Sequence, residues 1–167
     1  MKKILIPFVL LMTLAFCPND MSAQSEYKAA VGLRAAWGFA LTGKVFLPET
    51  NHAIEGIINR RSFGFGIYDY GWLSFTGLYQ IHDPLDDVVE GLQWYYGGGL
   101  NFTTYTGDFD YPDSNLDSFF GIAGCIGLDY KFEDVPINVS ADWIPVIGFG
   151  NYGFGAEGGG VAVRYTF

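Results

Sequence analysis

The C-terminal segment, residues 158–167, places an apolar side chain at every second position. The large apolar side chains share one face: Val161, Val163, Tyr165 and Phe167. The other face carries small or polar residues: Gly160, Ala162, Arg164 and Thr166. A period of two is typical of a β-strand with one apolar face. About ten residues with this pattern are enough to cross a bilayer as one strand of a β-barrel.

Seven further segments repeat the alternation, and turn-forming residues separate them. They are residues 27–37, 41–47, 53–61, 72–82, 91–105, 119–132 and 138–149. Only 16 % of the residues are charged, whereas a soluble domain averages about 25 %. So much apolar surface indicates contact with lipid, and a bilayer tolerates no open sheet edge. The sequence therefore predicts an all-β fold, a closed eight-stranded antiparallel transmembrane β-barrel.

The links between the segments alternate between the two ends of the barrel, and one pair of adjacent arginines breaks the apolar–polar alternation. Three links would face the periplasm, at residues 48–52, 83–90 and 133–137, and four would face outward, at residues 38–40, 62–71, 107–117 and 150–155. The adjacent pair Arg60 and Arg61 forces one arginine onto the lipid face. Either Arg60 lies at the outer interface near lipid phosphates, or a β-bulge restores the alternation.

The first 23 residues have the layout of a secretory signal peptide. Lys2 and Lys3 precede an apolar stretch, residues 4–17, and a small-residue site ends at Ala23. We therefore expect residues 1–23 to be removed and residues 24–167 to form the barrel. Lipidation of Cys17 is the alternative, but a bulky Phe16 precedes it where such signals carry a small residue.

Charge and cysteine content exclude several classes of partner. Without residues 1–23, seven basic residues face seventeen acidic ones, a net charge of −10. With no basic face to hold phosphates, nucleic acid is not an expected partner. Cys125 is the only cysteine left, which rules out an internal disulfide and a multi-cysteine metal site. No cofactor is expected.

The end of the chain resembles the C-terminal signal of outer-membrane barrel proteins, with an aromatic residue at Tyr165 and a terminal Phe167. Residues 27–167 resemble the small eight-stranded barrels of the OmpA and OmpX type, and residues 77–79, 92–97 and 127–131 followed by Asp142 and Trp143 resemble short outer-membrane barrel domains. The resemblance implies the outer membrane of a Gram-negative bacterium as the location. It also implies a monomer that contacts outer-membrane lipid and lipopolysaccharide, and insertion by the barrel-insertion machinery. It carries no catalytic residue.

Seven charged side chains fall on the inward face of the predicted strands: Arg34, Lys44, Glu55, Asp129, Lys131, Asp142 and Arg164. The lumen of an eight-stranded barrel is just wide enough for side chains, so these charges must pair. Reflection of strands about their turns places Lys44 near Glu55. It also places Asp129 near Asp142, with Arg164 as the cation between these two carboxylates. A salt-bridged plug and a gated polar path are the two interpretations, and the narrow lumen favours the plug.

Other candidate features are weaker. An acidic outer loop, residues 108–113 with Asp117, lacks the pattern of a calcium-binding loop and is expected to be a solvated surface. The two Gly runs, residues 97–99 and 158–160, are expected to permit tight curvature. Aromatic residues form an outer and a periplasmic girdle: Trp37, Phe75, Phe102, Phe120 and Phe149, then Tyr27, Trp94, Tyr130, Trp143 and Tyr165.

The functional hypothesis is a non-enzymatic, plugged barrel with a structural role or a surface-interaction role through residues 62–71 and 107–117. A narrow channel for small solutes or ions is the main alternative. A lipid-modifying enzyme is disfavoured, because His52 and His82 both fall at periplasmic strand ends, too far from Ser62 or Ser74 for a nucleophile–base contact. A soluble lipocalin-type barrel is disfavoured by the continuous outward apolar band.

Overall fold

The computed structural model describes residues 27–36, 38–65, 68–107, 118–149, 153–155 and 158–167. The predicted signal peptide, residues 1–23, and the acidic loop, residues 108–113 with Asp117, lie outside these ranges. Lipidation of Cys17 and the girdle position of Trp37 likewise fall outside them.

The described residues form ten β-strands and no helix that could span a membrane. In chain order they are β1 Ala29–Ala36, β2 Gly38–Phe46, β3 His52–Phe65, β4 Tyr68–Pro84, β5 Leu92–Gly107, β6 Phe119–Lys131, β7 Ile137–Trp143, β8 Val146–Gly148, β9 Gly153–Gly155 and β10 Gly160–Thr166. Strands β3, β4 and β5, of 14, 17 and 16 residues, exceed the 9–11 residues that a bilayer requires. They therefore extend past the apolar band.

Eight of these strands close into an antiparallel barrel, as the alternation predicted. The hydrogen-bonded order runs β5, β4, β3, β2, β1, β10, β7, β6, and pairing of β6 with β5 completes the circle. Strand β8 pairs with β6 in the same register as β7, so β7 and β8 are one strand interrupted at Ile144 and Pro145. Strand β9 pairs with β8 and lies on the chain before β10.

Burial follows the predicted parity around the barrel. In β10, Ala162 and Arg164 are buried inside while Val161, Val163 and Tyr165 remain about half exposed on the outer surface. Each long strand has the same burial pattern, with polar side chains inside and apolar side chains outside, which is the reverse of the pattern in a soluble protein. The core of the molecule is therefore the lumen, and the outer surface carries the apolar residues.

The parity break at Arg60 is accommodated without a bulge. The register between β3 and β4 is continuous from His52 opposite Ile81 to Phe65 opposite Tyr68, and Arg60 is exposed on the outer face. The prediction of a long external link over residues 62–71 is therefore wrong, because the hydrogen-bonded pairing of β3 and β4 continues through most of these residues. Strand pairing needs only backbone groups, so it does not stop where the side-chain pattern weakens.

A register change does occur, but in the last strand. Gly160 pairs with Asp142, whereas Gly155 pairs with Val146. These two pairings therefore differ in register by one residue.

The aromatic girdles are only partly as predicted. Phe75, Phe102 and Phe120 stand opposite one another on three adjacent strands, and the rings of the last two lie 4.7 Å apart. Tyr27 is a correction, because its side chain is 5 % exposed and lies inside the lumen, where its hydroxyl donates to Asp129. The hydrogen bond to a carboxylate is charge-assisted and compensates the burial of the hydroxyl.

The glycines of β5 allow β4 and β5 to approach closely. A Cβ on Gly97 would lie 2.0 Å from the carbonyl oxygen of Tyr79, and one on Gly99 would lie 1.8 Å from that of Gly77. Gly77 itself faces outward and has no atom within 4 Å of the corresponding Cβ position.

We expect Gly99→Ala to destabilise the folded barrel by about 1–3 kcal/mol, because the methyl group displaces the backbone of β4. Gly77→Ala, on the strand that Gly99 contacts, is the matched control and should leave stability unchanged. Urea unfolding of the refolded barrels measures both. Equal stability of the two variants would contradict the close approach.

Candidate functional site

The lower half of the lumen holds three basic and three acidic side chains whose charges balance. They are Arg34, Lys44 and Arg164, with Glu55, Asp129 and Asp142. Their side chains are at most 3 % exposed. Burial of a charge costs several kcal/mol unless partners surround it, so the contacts of each group decide whether the site is stable.

Arg164 is the centre of this network. Its guanidinium forms an ion pair with Glu55 across the lumen. The remaining N–H groups donate to the hydroxyl of Ser140 at 2.7 Å and to Thr42 and Asn138 at 3.2 Å. These contacts come from β2, β3 and β7, so one side chain connects three parts of the wall.

Glu55 has every carboxylate oxygen engaged. Oε1 accepts from Arg164 and from the hydroxyl of Thr42 at 2.5 Å, and Oε2 accepts from the amide of Gln80 at 2.6 Å. The ammonium of Lys44 lies 3.9 Å from Oε2. Two cations and two neutral donors therefore surround this carboxylate and compensate its burial.

Lys44 and Asp129 form the second ion pair. Nζ of Lys44 lies 2.8 Å from Oδ2 of Asp129 and 4.3 Å from the ring centre of Tyr95. Asp129 also accepts from the hydroxyl of Tyr27 at 3.2 Å and from the amide of Asn138. The cation is thus compensated both by a carboxylate and by an aromatic face.

The third ion pair joins Arg34 and Asp142. The guanidinium also donates to the carbonyl of Gly158 at 3.0 Å, and the hydroxyl of Tyr95 donates to Asp142 at 2.8 Å. A Cβ at Gly160 would lie 2.3 Å from Nη1 of Arg34. The absence of a side chain there makes room for the guanidinium.

Aromatic rings pack together at the end of the lumen near Tyr27, where the first described strand begins. Tyr27 and Phe46 meet edge to face at 5.0 Å, Phe46 and His82 at 4.8 Å, and His82 stacks on Tyr95 at 4.8 Å. The imidazole of His82 lies between the side-chain oxygens of Gln80 and Gln93, each 3.2 Å away. These rings pack against one another inside the lumen, and Tyr95 connects them to the charged side chains.

Two further groups of side chains line the lumen, one apolar and one polar but uncharged. An apolar layer comes first, formed by Ala40, Ile57, Leu78, Tyr95, Ala123, Cys125 and Ile144. Hydroxyl and amide groups follow: Asn101 donates to Ser74 at 2.8 Å and to Thr76 at 2.9 Å. Thr103 donates to Asn101 at 2.9 Å. The lumen thus holds a charged, an apolar and a neutral polar group of side chains, and Tyr95 of the apolar group contacts both Lys44 and Asp142.

The structure brings together six of the seven charges singled out in the sequence. Lys131 is a correction: at the end of β6 it is partly exposed, and its ammonium bonds the carbonyls of Phe132 and, at 3.0 Å, Val135. Its position at the strand end lets the long side chain reach the turn rather than the lumen.

The expected contact of Arg164 with Asp142 is also wrong. In the register of β7 and β10, Arg164 stands opposite Asn138, and Gly160 stands opposite Asp142. Asp129 likewise stands opposite Ser140 rather than Asp142. Because each carboxylate has its own cation from another strand, no cation is needed between Asp129 and Asp142. Lys44 does stand opposite Glu55, as reflection about the turn gives.

The comparisons with known proteins bear on the fold. No protein-family model matches the chain, and no curated protein matches it. Among solved structures, the N-terminal β-barrel domain of Pseudomonas aeruginosa OprF is similar, with 15 % identity and a TM-score of 0.55 over 83 % of this chain and 95 % of that one. Neisserial surface protein A is similar with 13 % identity and a TM-score of 0.50 over 83 % and 93 %. The chain has the fold of the small eight-stranded barrels.

Within the described ranges, no three His, Cys, Asp or Glu side chains are placed to hold a metal ion together. Cys125 is buried in the apolar layer as a free thiol. The charged side chains in the lumen form ion pairs with one another.

We expect Arg164→Met to destabilise the barrel by about 3–5 kcal/mol, because it leaves Glu55 with one cation fewer in a buried position. The double variant Glu55→Leu with Arg164→Met should lose less than the sum of the two single losses, since no unpaired carboxylate remains. Urea unfolding in detergent measures each variant, with the exposed Glu49→Gln as control. Additive losses would show that the two side chains do not interact.

Proposed function

We propose that this chain is an outer-membrane barrel with a plugged lumen, exported by its signal peptide and acting as a monomer in a structural or surface-interaction role. The observation that carries the proposal is the closed set of three ion pairs in the lumen. Each of the six charges has a partner inside the barrel, so the network needs no solute to complete it.

The outer surface supports a membrane position. Large apolar side chains stand exposed on the outer faces of neighbouring strands, among them Leu33 at 61 %, Phe39 at 81 % and Leu100 at 67 %. A monomeric soluble protein rarely exposes a continuous apolar surface of this size. Contact with lipid and lipopolysaccharide removes that surface from water.

Surface interaction is supported by the shape of the outer end. Because β3, β4 and β5 are longer than a bilayer requires, their outer ends project as a three-stranded sheet above the membrane. Residues 66–67, between β3 and β4, and residues 108–117, between β5 and β6, lie outside the described ranges. The projecting sheet is the part of the chain that a ligand or another cell surface would meet first.

Catalysis is not part of the proposal. His82 is 1 % exposed within the plug, and His52 lies at the start of β3, where its ring contacts the hydroxyl of Tyr79 on the outer face. Ser74 is eight residues from His82 on β4, about 26 Å at roughly 3.3 Å per residue. A nucleophile–base pair needs contact at about 3 Å.

A narrow channel is the second candidate, because the lower lumen is polar. Single-channel recording in planar bilayers separates it from the plug. We expect no conductance steps from the unmodified protein, and steps from Glu55→Ala with Arg164→Ala, since truncation of both leaves a polar gap for water.

The control for this recording is Glu49→Gln, which changes a charge outside the lumen and should remain silent. Fractionation and gel migration before and after boiling confirm insertion for every preparation. Regular steps from the unmodified protein would replace the plug with the channel as the favoured function.

The C-terminal residues offer a separate test of insertion. We propose that Tyr165 and Phe167, whose rings lie 5.0 Å apart on the outer face, are read by the barrel-insertion machinery. The backbone N–H of Phe167 donates to Ala29 at 2.8 Å, and its carbonyl accepts from Lys28, just before β1, at 3.0 Å. A side-chain substitution therefore separates the signal from the closure of the barrel.

We expect Phe167→Ala to lower the amount of protein assembled in the outer membrane of a Gram-negative host, while the barrel refolded in detergent keeps its stability. Val163→Ala, on the same face of β10, is the control. Parallel losses of assembly and of in vitro stability for Phe167→Ala would mean that the residue acts only in packing.

A further inference from the structure

The plug contains a histidine, the side chain whose ordinary titration falls near neutral pH. His82 lies on the inner face of β4 and is 1 % exposed. Its ring stacks on Tyr95 and meets Phe46 edge to face, with 4.8 Å between ring centres in both contacts. The three ion pairs of the lumen balance without this ring. A proton on His82 would therefore add a fourth cation to three cations and three anions.

The amide of Gln80 determines which nitrogen of the His82 ring carries the hydrogen. Nε2 of Gln80 donates to the carboxylate of Glu55 at 2.6 Å, and Oε1 of Gln80 lies 3.2 Å from Nε2 of His82. This amide cannot turn around, because its oxygen would then face a carboxylate oxygen, and neither atom has a hydrogen to donate. Nε2 of His82 therefore carries a hydrogen, which it donates to Gln80.

The amide of Gln93 faces the other ring nitrogen and can serve both protonation states of His82. Its Oε1 lies 3.2 Å from Nδ1 of the ring. With Nε2 already protonated, only the doubly protonated and positively charged ring has a hydrogen on Nδ1 to donate to this oxygen. A half turn of the amide presents an N–H group to the lone pair of the neutral ring instead. Hydrogen bonding thus accommodates either state, and the surrounding charges decide between them.

The charged groups around His82 disfavour an additional cation in the closed plug. The titratable and charged side chains that face the ring come from four other strands: Lys44 on β2, Glu55 on β3, Tyr95 on β5 and Asp129 on β6. Both carboxylates already have a cation, since Glu55 pairs with Arg164 and Asp129 pairs with Lys44. A buried charge without a counterion of its own costs several kcal/mol. The closed lumen therefore favours the neutral ring.

We propose that His82 is a proton-sensitive switch of the plug, neutral while the lumen is closed and charged when water enters it. The inference rests on the plug proposed above and adds its regulation. A histidine in contact with water takes up a proton at about pH 6.5. The hydrated conformation of the lumen therefore binds this proton more readily than the closed one. A fall in pH below that value shifts the population towards the hydrated conformation, by up to about tenfold per pH unit.

Planar-bilayer recording of the whole mature chain, from about pH 7.5 to about pH 3.5, tests the switch across the titration range of histidine. We expect no conductance steps from the unmodified protein at neutral pH, and steps whose frequency rises as the pH falls. His82→Gln, which keeps a neutral polar side chain at this position, should remain silent throughout. His52→Gln is the matched control and should open as the unmodified protein does. His52 is the other histidine of the chain, and its ring contacts Tyr79 on the outer face.

A second measurement needs no substitution of His82. Nitrogen NMR of protein labelled in its histidine rings reports two rings, and His52→Gln assigns them. We expect His82 to carry its hydrogen on Nε2 at neutral pH and to gain a second proton over the pH range in which conductance appears. A hydrogen on Nδ1 alone at neutral pH would overturn the switch, as would conductance that appears while the ring is still neutral.

The outcomes distinguish failure of the switch from failure of the plug. Conductance steps from the unmodified protein at neutral pH overturn the plug, and the switch with it. Silence of the unmodified protein at every pH overturns the switch alone. Opening of His82→Gln in parallel with the unmodified protein also overturns the switch, and assigns the acid response to the carboxylates of the lumen. Gel migration before and after boiling establishes that each preparation is folded.

Discussion

The lumen of this barrel is narrow, and everything placed inside it must find its partners there. Three cations and three anions are buried within one short stretch of the barrel, a cost that is offset because each forms an ion pair and has neutral hydrogen-bonding groups or an aromatic ring beside it. Arg164 and Glu55 hold this arrangement together, since their contacts reach β2, β3, β4 and β7. The wall of the barrel and the network inside it therefore stabilise each other: strand closure excludes water, and the network fixes which strands face one another.

Space for this network comes from glycine. Tyr95 reaches Asp142 because Gly127 has no side chain in its path; a Cβ there would lie 2.7 Å from the ring. Gly160 has the same relation to Arg34. Glycine on one strand thus leaves space for a large side chain from another. In this way a barrel of fixed circumference accommodates arginine, lysine and tyrosine side chains close together.

The number of strands, their direction and the inward or outward position of nearly every residue could be predicted from the sequence, because a period of two depends only on local geometry. Pairing between strands could not be predicted as well. Reflection about a tight turn placed Lys44 opposite Glu55 correctly, since the turn fixes that register. Asp142 and Arg164 belong to strands joined by a longer segment, and a single additional residue there changes which side chains meet. The alternation over residues 27–37 gives Tyr27 an outward position, but β1 begins only at Ala29, and Ala29 and Ala30 are both buried, so the alternation does not extend to Tyr27.

The seam between β1 and β10 joins the first described strand to the last, with Val31 opposite Tyr165. No other ladder of the wall connects residues so distant along the chain, among those that the structure describes. Contacts between remote residues form late, because a long loop must close first. The β1–β10 ladder can thus form only after β10 is available, and until then β1 has an unpaired edge. Tyr165 lies in the strand that closes this seam, so the cylinder is sealed by residues that follow those of every other strand of the wall along the chain.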